Sequence, residues 1–196
     1  MPARTTPRMR TTPRLDPRRP LVLDTRELGR RPGSMRAVRT EVPAPPELAV
    51  GMATIPEGAS LALDLRLESV VEGVLVSGTV TAPVTAECAR CLTPVSDTVT
   101  VELTELFAYP ESVTEQTTEE DEVHHLAGEL LDLEPVVRDA LVLDLPLSPL
   151  CRDDCRGLCA GCGERLDDLP DDHTHTTTDP RWAALAERFG GSPDKE

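Results

Sequence analysis

The chain has 196 residues, of which 39% are hydrophobic and only 2% aromatic, so its core must be built mainly from valine, leucine and alanine. Its formal net charge is −15 at pH 7. No apolar stretch approaches the ~18–20 residues that span a bilayer, and no signal-peptide apolar region of ~7–15 residues follows the arginine-rich start. These features argue against a membrane protein, and we expect a cytoplasmic one.

The charge is divided unevenly along the chain. Residues 1–40 contain eleven arginines and three acids, which gives +8, whereas the remainder contains nine basic and 32 acidic residues, which gives −23. An acidic body repels nucleic-acid phosphates and attracts basic proteins. The basic arm could contact RNA, although no aromatic side chain interleaves its charges to stack on bases. Direct RNA contact therefore stays open, and we predict a disordered basic tail over residues 1–19.

Alternating apolar and polar residues predict an antiparallel sheet. In "SLALDLRLES" the four leucines share one face, as in a half-buried strand. "VEGV" predicts a tight turn in which Gly73 supplies a positive φ, and "VLVSGTVTA" then returns as the hairpin partner. "VSDTVTVELTELF" predicts a further long strand with Val99, Val101 and Leu103 on one face. "PLVLD" predicts a shorter strand near the start.

Two segments have helical spacing. "DLEPVVRDALVLDLPLSP" predicts a helix near 133–145, with Asp132 as the cap and an end before Pro146. "DPRWAALAERFGG" predicts a C-terminal helix with Asp179 as the cap, Pro180 at the first helical position and an end at Gly190 and Gly191. Trp182 belongs to the apolar stripe of that helix, which we expect to pack against the core.

These elements predict an α+β protein: an antiparallel β-meander or small barrel with one internal and one C-terminal helix, plus a cysteine-rich zinc-knuckle segment. The expected organisation is a tail over 1–19, a mainly antiparallel β domain over 20–148 with an acidic loop over 110–125, a zinc-binding segment with the C-terminal helix over 149–190, and a disordered tail over 191–196. His124 and His125 end the acidic loop, and we expect them at the surface rather than on a metal.

Four of the six cysteines lie in "CRDDCRGLCAGCGERLDDLPDDHTH", which runs from Cys151 to His175. Cytoplasmic thiols stay reduced, so this cluster favours metal or redox chemistry over disulfides. Cys159-x-x-Cys162 with its glycines has the shape of a zinc knuckle, in which both sulfurs reach one ion at ~2.3 Å. We expect about one structural zinc per chain, held by four of six candidates, Cys159 and Cys162 foremost: Cys151, Cys155, Cys159, Cys162, His173 and His175.

A second pair, Cys88 and Cys91, lies in "ECARCL" between two predicted strands. It either completes a four-cysteine site with Cys159 and Cys162 or packs as buried thiols. Redox catalysis is disfavoured because these pairs lie in loops of an antiparallel pattern rather than at the start of a helix. No phosphate-binding loop and no nucleophile with a base stand out, so we expect no enzyme, no catalytic residues and no small-molecule substrate.

The segments "PLVLDTRELGRRPGS", "LRLESVVEGVLVSGTV", "ECARCLTPV", "ALVLDLPLSPLCRDDCRGLCAGCG" and "DPRWAAL" resemble the YceD family, the large ribosomal RNA subunit accumulation proteins. Arginine-rich, lysine-poor usage resembles its actinobacterial branch. The resemblance implies a non-enzymatic ribosome-biogenesis factor whose partner is a ribosomal protein or large-subunit assembly factor. It also implies that His173 and His175 occupy the place of a Cys-x-Cys pair. The alternative function is a zinc-linked regulatory or redox-sensing module, in which oxidation of the knuckle cysteines releases metal.

Overall fold

A computed structural model describes residues 15–110, 112–113, 123–175, 180–182 and 188. These residues form a mostly antiparallel sheet with one helix. The strands are β1 (Val22–Asp24), β2 (Met35–Pro43), β3 (Leu48–Val50), β4 (Ala53–Ile55), β5 (Ser60–Ser69), β6 (Gly73–Glu87), β7 (Pro94–Ala108), β8 (His124–His125) and β9 (Leu130–Asp132). The helix is α1 (Glu134–Asp144), and short 3-10 turns lie at Leu166–Asp168 and Pro180–Trp182. No described helix has the length and apolar character needed to cross a membrane.

The long hairpin of β6 and β7 is the centre of the larger sheet. β7 pairs with β6 from Gly73 to Glu87 along one edge, while β5 and then β4 pair with the other edge. β2 extends the sheet beyond β5, and β8 adds a short parallel pair to β7. Among the described residues β5, β6 and β7 pair in chain order as a meander, β2 pairs with β5 out of chain order, and β4 and β3 continue the sheet beyond β6. The small barrel stays a prediction. β1 and β9 form a separate two-stranded sheet.

The alternation predicted for the two long strands is confirmed. The leucines of β5 are buried between exposed polar neighbours, and β7 buries Val99, Val101 and Leu103. The predicted helix is also present and ends at Asp144, before Pro146. Its N-cap is Leu133 rather than the predicted Asp132, although the Asp132 carboxylate accepts a bond from the Glu134 N–H over 3.0 Å. Buried α1 side chains join the core formed by the inner face of the sheet.

The prediction of a positive φ at Gly73 was wrong. Val70 N–H donates to the Gly73 carbonyl over 2.9 Å and closes the turn, but Gly73 is not among the glycines with positive φ. Glycine is needed there because a Cβ would lie 2.1 Å from the carbonyl oxygen of Phe107 on the paired strand. The requirement comes from a close approach of backbones rather than from a left-handed turn.

Other sequence expectations fall at the limits of the described residues. Most of the acidic loop predicted over 110–125 and most of the predicted C-terminal helix lie outside them. Pro180–Trp182 is a 3-10 turn, and Trp182 is exposed rather than packed into a core. His124 and His125 form β8 and are half-buried, and the ring of His124 lies 5.4 Å from that of Phe107.

Candidate metal centres

The far end of the β6–β7 hairpin carries the first group of metal-ligating side chains. The turn between the strands holds Cys88 and Cys91, and it is closed by bonds from Cys88 N–H to the Thr93 carbonyl and from Leu92 N–H to the Cys88 carbonyl, both 2.9 Å. After α1 the chain returns to this turn, where Ala89 N–H donates to the Pro149 carbonyl over 2.8 Å. This return brings the next pair of cysteines to the first.

Cys88, Cys91, Cys151 and Cys155 form what we call the tetracysteine quartet, since their four Sγ atoms all lie within 4.8 Å of one another. Two of the separations are 3.8 Å, between Cys88 and Cys155, and 3.6 Å, between Cys91 and Cys151. A tetrahedron with Zn–S bonds of ~2.3 Å has edges of about 3.8 Å, so these separations fit one ion. They are far too long for disulfides, and all six cysteines are free.

The surroundings of this quartet stabilise thiolates on one pair of cysteines and oppose them on the other. The backbone N–H of Cys151 lowers the pKa of Cys88 to about 6, and the side-chain hydroxyl of Thr93 lowers the pKa of Cys91. Desolvation raises the pKa of Cys155, and it raises that of Cys151 to about 12. Four thiolates cannot share so small a volume without a cation, which is the condition a metal ion satisfies.

The side chain of Arg90, in the hairpin turn, binds the two cysteine loops together. Its Nη1 donates to the carbonyl of Cys155 over 2.9 Å and to that of Asp153 over 3.1 Å. Gly157, with φ +81°, lies so close that a Cβ would be 3.1 Å from the Arg90 carbonyl oxygen. The Arg90 guanidinium therefore orients the loop that carries Cys155, while the Arg90 backbone N–H helps to lower the pKa of Cys88.

The second group, which we call the Cys2His2 quartet, follows directly. Its ligand atoms, on Cys159, Cys162, His173 and His175, also lie within 4.8 Å of one another. Cys162 Sγ lies 3.6 Å from His173 Nε2, and the two imidazole rings are 4.5 Å apart at 82°. Backbone N–H groups of Cys162 and then Gly161 lower the pKa of Cys159.

Glycines make the Cys2His2 turn possible. Gly163 has φ +76° and donates its N–H to the Cys159 carbonyl over 2.8 Å. A Cβ on Gly161 would lie 2.4 Å from Cδ2 of His175, so only glycine leaves room for that ring. Zinc prefers four nitrogen and sulfur ligands, and both quartets supply them.

The eight donors are thus divided differently from the sequence expectation. The six candidates of 151–175 do not form one group: Cys151 and Cys155 join Cys88 and Cys91, while Cys159 and Cys162 lie with the two histidines. The Cys88 pair is both buried and clustered, and its neighbours are Cys151 and Cys155 rather than Cys159 and Cys162. The sequence did carry one signal for two sites, which was the number of Cys and His donors. Three cysteine pairs and one histidine pair supply eight donors, enough for two sets of four.

Comparison with known proteins places the chain in a family. The family model described as large ribosomal RNA subunit accumulation protein YceD matches residues 76–187, a span that includes all eight donors. Uncharacterized proteins of Mycobacterium bovis and Mycobacterium tuberculosis are each 53% identical over 175 residues, 89% of this chain and 84% of theirs. The uncharacterized protein YlbN of Bacillus subtilis is 24% identical over 123 residues, 62% of this chain and 67% of YlbN. No solved structure matches. Because the family model covers more than half of the sequence, the chain belongs to the YceD family.

Proposed function

We propose that this protein is a non-enzymatic factor in ribosome biogenesis that supports the synthesis, processing or accumulation of large-subunit ribosomal RNA. The observation that carries the proposal is the match of residues 76–187 to the family model that bears this description. The proposal assigns no catalytic residue and no small-molecule substrate.

The charge distribution favours action through a protein partner. The segment 149–175 contains seven acids and three arginines, and exposed carboxylates surround the metal-ligating loops at Asp153, Asp154, Asp168, Asp171 and Asp172. Such a surface repels RNA phosphates and attracts cationic proteins. We therefore propose a basic ribosomal protein or large-subunit assembly factor as the direct partner, in the cytoplasm.

Depletion of the protein in its host tests this function. The expected result is a lower ratio of large- to small-subunit ribosomal RNA, with rescue by the intact chain. An unchanged ratio would contradict the proposal. Affinity capture from cells, with and without nuclease, separates the two modes of action: a partner retained after nuclease treatment supports direct protein contact, whereas its loss supports contact through RNA.

We also propose that both quartets bind zinc in a structural role. Thiolate and imidazole donors are the ligands of structural zinc sites, and the fourfold grouping leaves no open position for chemistry. The grouping of eight donors into two sets of four supports two ions per chain rather than the one expected from the sequence. Elemental analysis of protein purified without chelators should give about two zinc ions per chain. Metal-free protein from a zinc-replete preparation would reject the assignment.

A zinc-linked redox sensor is the second candidate, favoured by the half-buried and exposed positions of Cys159 and Cys162. In that reaction hydrogen peroxide takes two electrons from the two thiolates and two protons from solvent, which yields one disulfide, two waters and free Zn²⁺. Peroxide titration with a zinc-release readout tests it. Absence of release at doses that oxidise other cytosolic thiols would exclude it.

A further inference from the structure

We infer that the Cys2His2 quartet is an exchangeable zinc site whose occupancy decides whether the segment 159–175 is folded, while the tetracysteine quartet releases its ion more slowly. The inference rests on the proposed binding of zinc. It assigns different roles to two groups that have the same number of ligands.

The tetracysteine quartet is mostly buried. Cys88, Cys91 and Cys155 are buried and pack against Val95, Leu150 and Leu158, whereas Cys151 is exposed. Two of its ligands lie in the turn of the longest hairpin, which is hydrogen-bonded along all of β6 and β7. An ion here is held by three buried ligands, so its release requires separation of packed side chains at the end of the hairpin, and opening that breaks core packing is rare.

The segment that holds the Cys2His2 quartet has no core of its own. No residue from 160 to 175 is buried, and Cys159 is only half-buried. Ordering a residue costs about 1–2 kcal/mol of backbone entropy, which apolar burial normally offsets. Because that burial is missing here, the free energy that folds the segment must come mainly from the bound metal.

Among the described residues, backbone pairs and ion pairs join this segment to the preceding loop, and one of them is an isolated antiparallel bridge between Leu158 and Arg165. Leu166 N–H donates to the Gly157 carbonyl over 2.9 Å. Two ion pairs, Arg152 with Asp167 and Arg156 with Asp171, join it to the preceding loop. The exposed pair with Asp171 contributes about 0–1 kcal/mol. The Asp167 side chain is only 10% exposed, and the cost of removing its charge from water offsets much of the attraction to Arg152. Loss of the ion would therefore unfold this segment while the sheet and the tetracysteine quartet persist.

The chain carries its own reporter of that unfolding. Arg165 is the single basic residue between Cys159 and His175, and it is half-buried in the folded segment. Trypsin cleaves after arginine only where the backbone can enter its active site in an extended form. Cleavage after Arg165 therefore measures whether the segment is folded, independently of any biological activity.

The experiment uses the full-length, zinc-loaded chain and graded amounts of a chelator. The zinc content and the rate of cleavage after Arg165 are followed together, with circular dichroism of the sheet as the fold control. We expect two phases, with the first zinc released about tenfold faster than the second or more. Arg165 should become cleavable with the first phase, and the circular dichroism of the sheet should persist until the second.

Variants assign the phases to the quartets. C162S should retain one zinc, lack the fast phase and be cleaved after Arg165 from the start. H175A should behave in the same way. His124, outside both quartets, supplies the matched control, and H124A should keep two zinc ions and both phases.

The outcomes separate this inference from the zinc proposal. Two zinc ions that leave in a single phase would overturn the inference and leave the zinc assignment intact. Arg165 that stays resistant after the first ion leaves would also overturn it, since the segment would then fold without metal. A chain that binds no zinc at any concentration would instead overturn the zinc assignment on which the inference rests.

Discussion

The side chain of Arg90 should control the affinity of the tetracysteine quartet for zinc through the loop that carries Cys155. Its guanidinium donates to the carbonyls of Asp153 and Cys155, over 3.1 and 2.9 Å, and so fixes the loop that presents Cys155 to the hairpin cysteines. R90A removes both bonds. Without them the loop must be ordered by the ion itself, and that cost appears as weaker binding.

The magnitude follows from the two bonds. Hydrogen bonds from a charged donor contribute about 1.5–3 kcal/mol each, and water competes for the exposed guanidinium, so we take about 1.5–3 kcal/mol for the pair. That free energy corresponds to a loss of about 10- to 100-fold in zinc affinity. R90K should lose less, because one ammonium on a flexible stem can reach one carbonyl but lacks the planar fork.

Competition titration with a calibrated zinc chelator measures the loss. The titration is made in the C162S background, so that only the tetracysteine quartet is read. R39A is the matched control, since Arg39 is an exposed arginine of the sheet whose Nε pairs with the Asp64 carboxylate over 3.0 Å. Equal affinities of the R90A and R39A chains would refute the reasoning.

Three further predictions concern single positions in the fold. G78A should lower the unfolding free energy by at least ~2 kcal/mol in urea denaturation, because Gly78 has φ +141° and a Cβ would lie 2.2 Å from a backbone oxygen of β5. G58A is the control and should lower it by less, since no atom lies within 4 Å of the Cβ position at Gly58. G161A should displace the ring of His175 and reduce the zinc content to about one ion per chain by elemental analysis, without loss of the sheet; retention of two ions would show that the ring can shift. The neighbouring guanidinium of Arg26 holds the pKa of Asp24 at about 2, below its usual 3.8, so the carboxylate stabilises the fold above pH ~4 and this contribution disappears as the pH falls toward 2. Since both groups are partly exposed, D24N should lower the unfolding free energy by less than ~1 kcal/mol at pH 7, and the difference should vanish near pH 2 in paired urea titrations.

The strands could be predicted because their signal is local. The leucines of β5 and the valines of β7 alternate with polar residues, and the same two-residue period decides which side chains face the core. The helix was predictable for a similar reason, since its apolar spacing, its N-terminal proline and the following Pro146 are all read within one short segment. Gly73 marks the limit of this reasoning, because the backbone it approaches, at Phe107, is distant in sequence.

The division of the metal donors could not be read from spacing. Spacing predicts which two donors share a turn, such as Cys88 with Cys91 or Cys159 with Cys162. It does not predict which turns meet, because that depends on the β6–β7 hairpin and on where the chain returns after α1. The hydrogen bond between Ala89 and Pro149 brings the two cysteine turns together. Ala89 precedes α1 in the chain and Pro149 follows it, so no local spacing predicts this contact.

The two quartets also differ in the charge they would bring to the acidic surface. Four thiolates around one Zn²⁺ carry a net −2, whereas two thiolates and two neutral imidazoles around one Zn²⁺ carry none. The acids and arginines of residues 149–175 sum to −4, from seven acids and three arginines. In the proposed zinc-loaded chain the tetracysteine quartet therefore adds further negative charge to this acidic part of the chain. The Cys2His2 quartet adds no charge and instead fixes where those acids lie. A basic partner would thus gain long-range attraction from the net negative charge of the loaded tetracysteine quartet and a defined arrangement of carboxylates from the loaded Cys2His2 quartet.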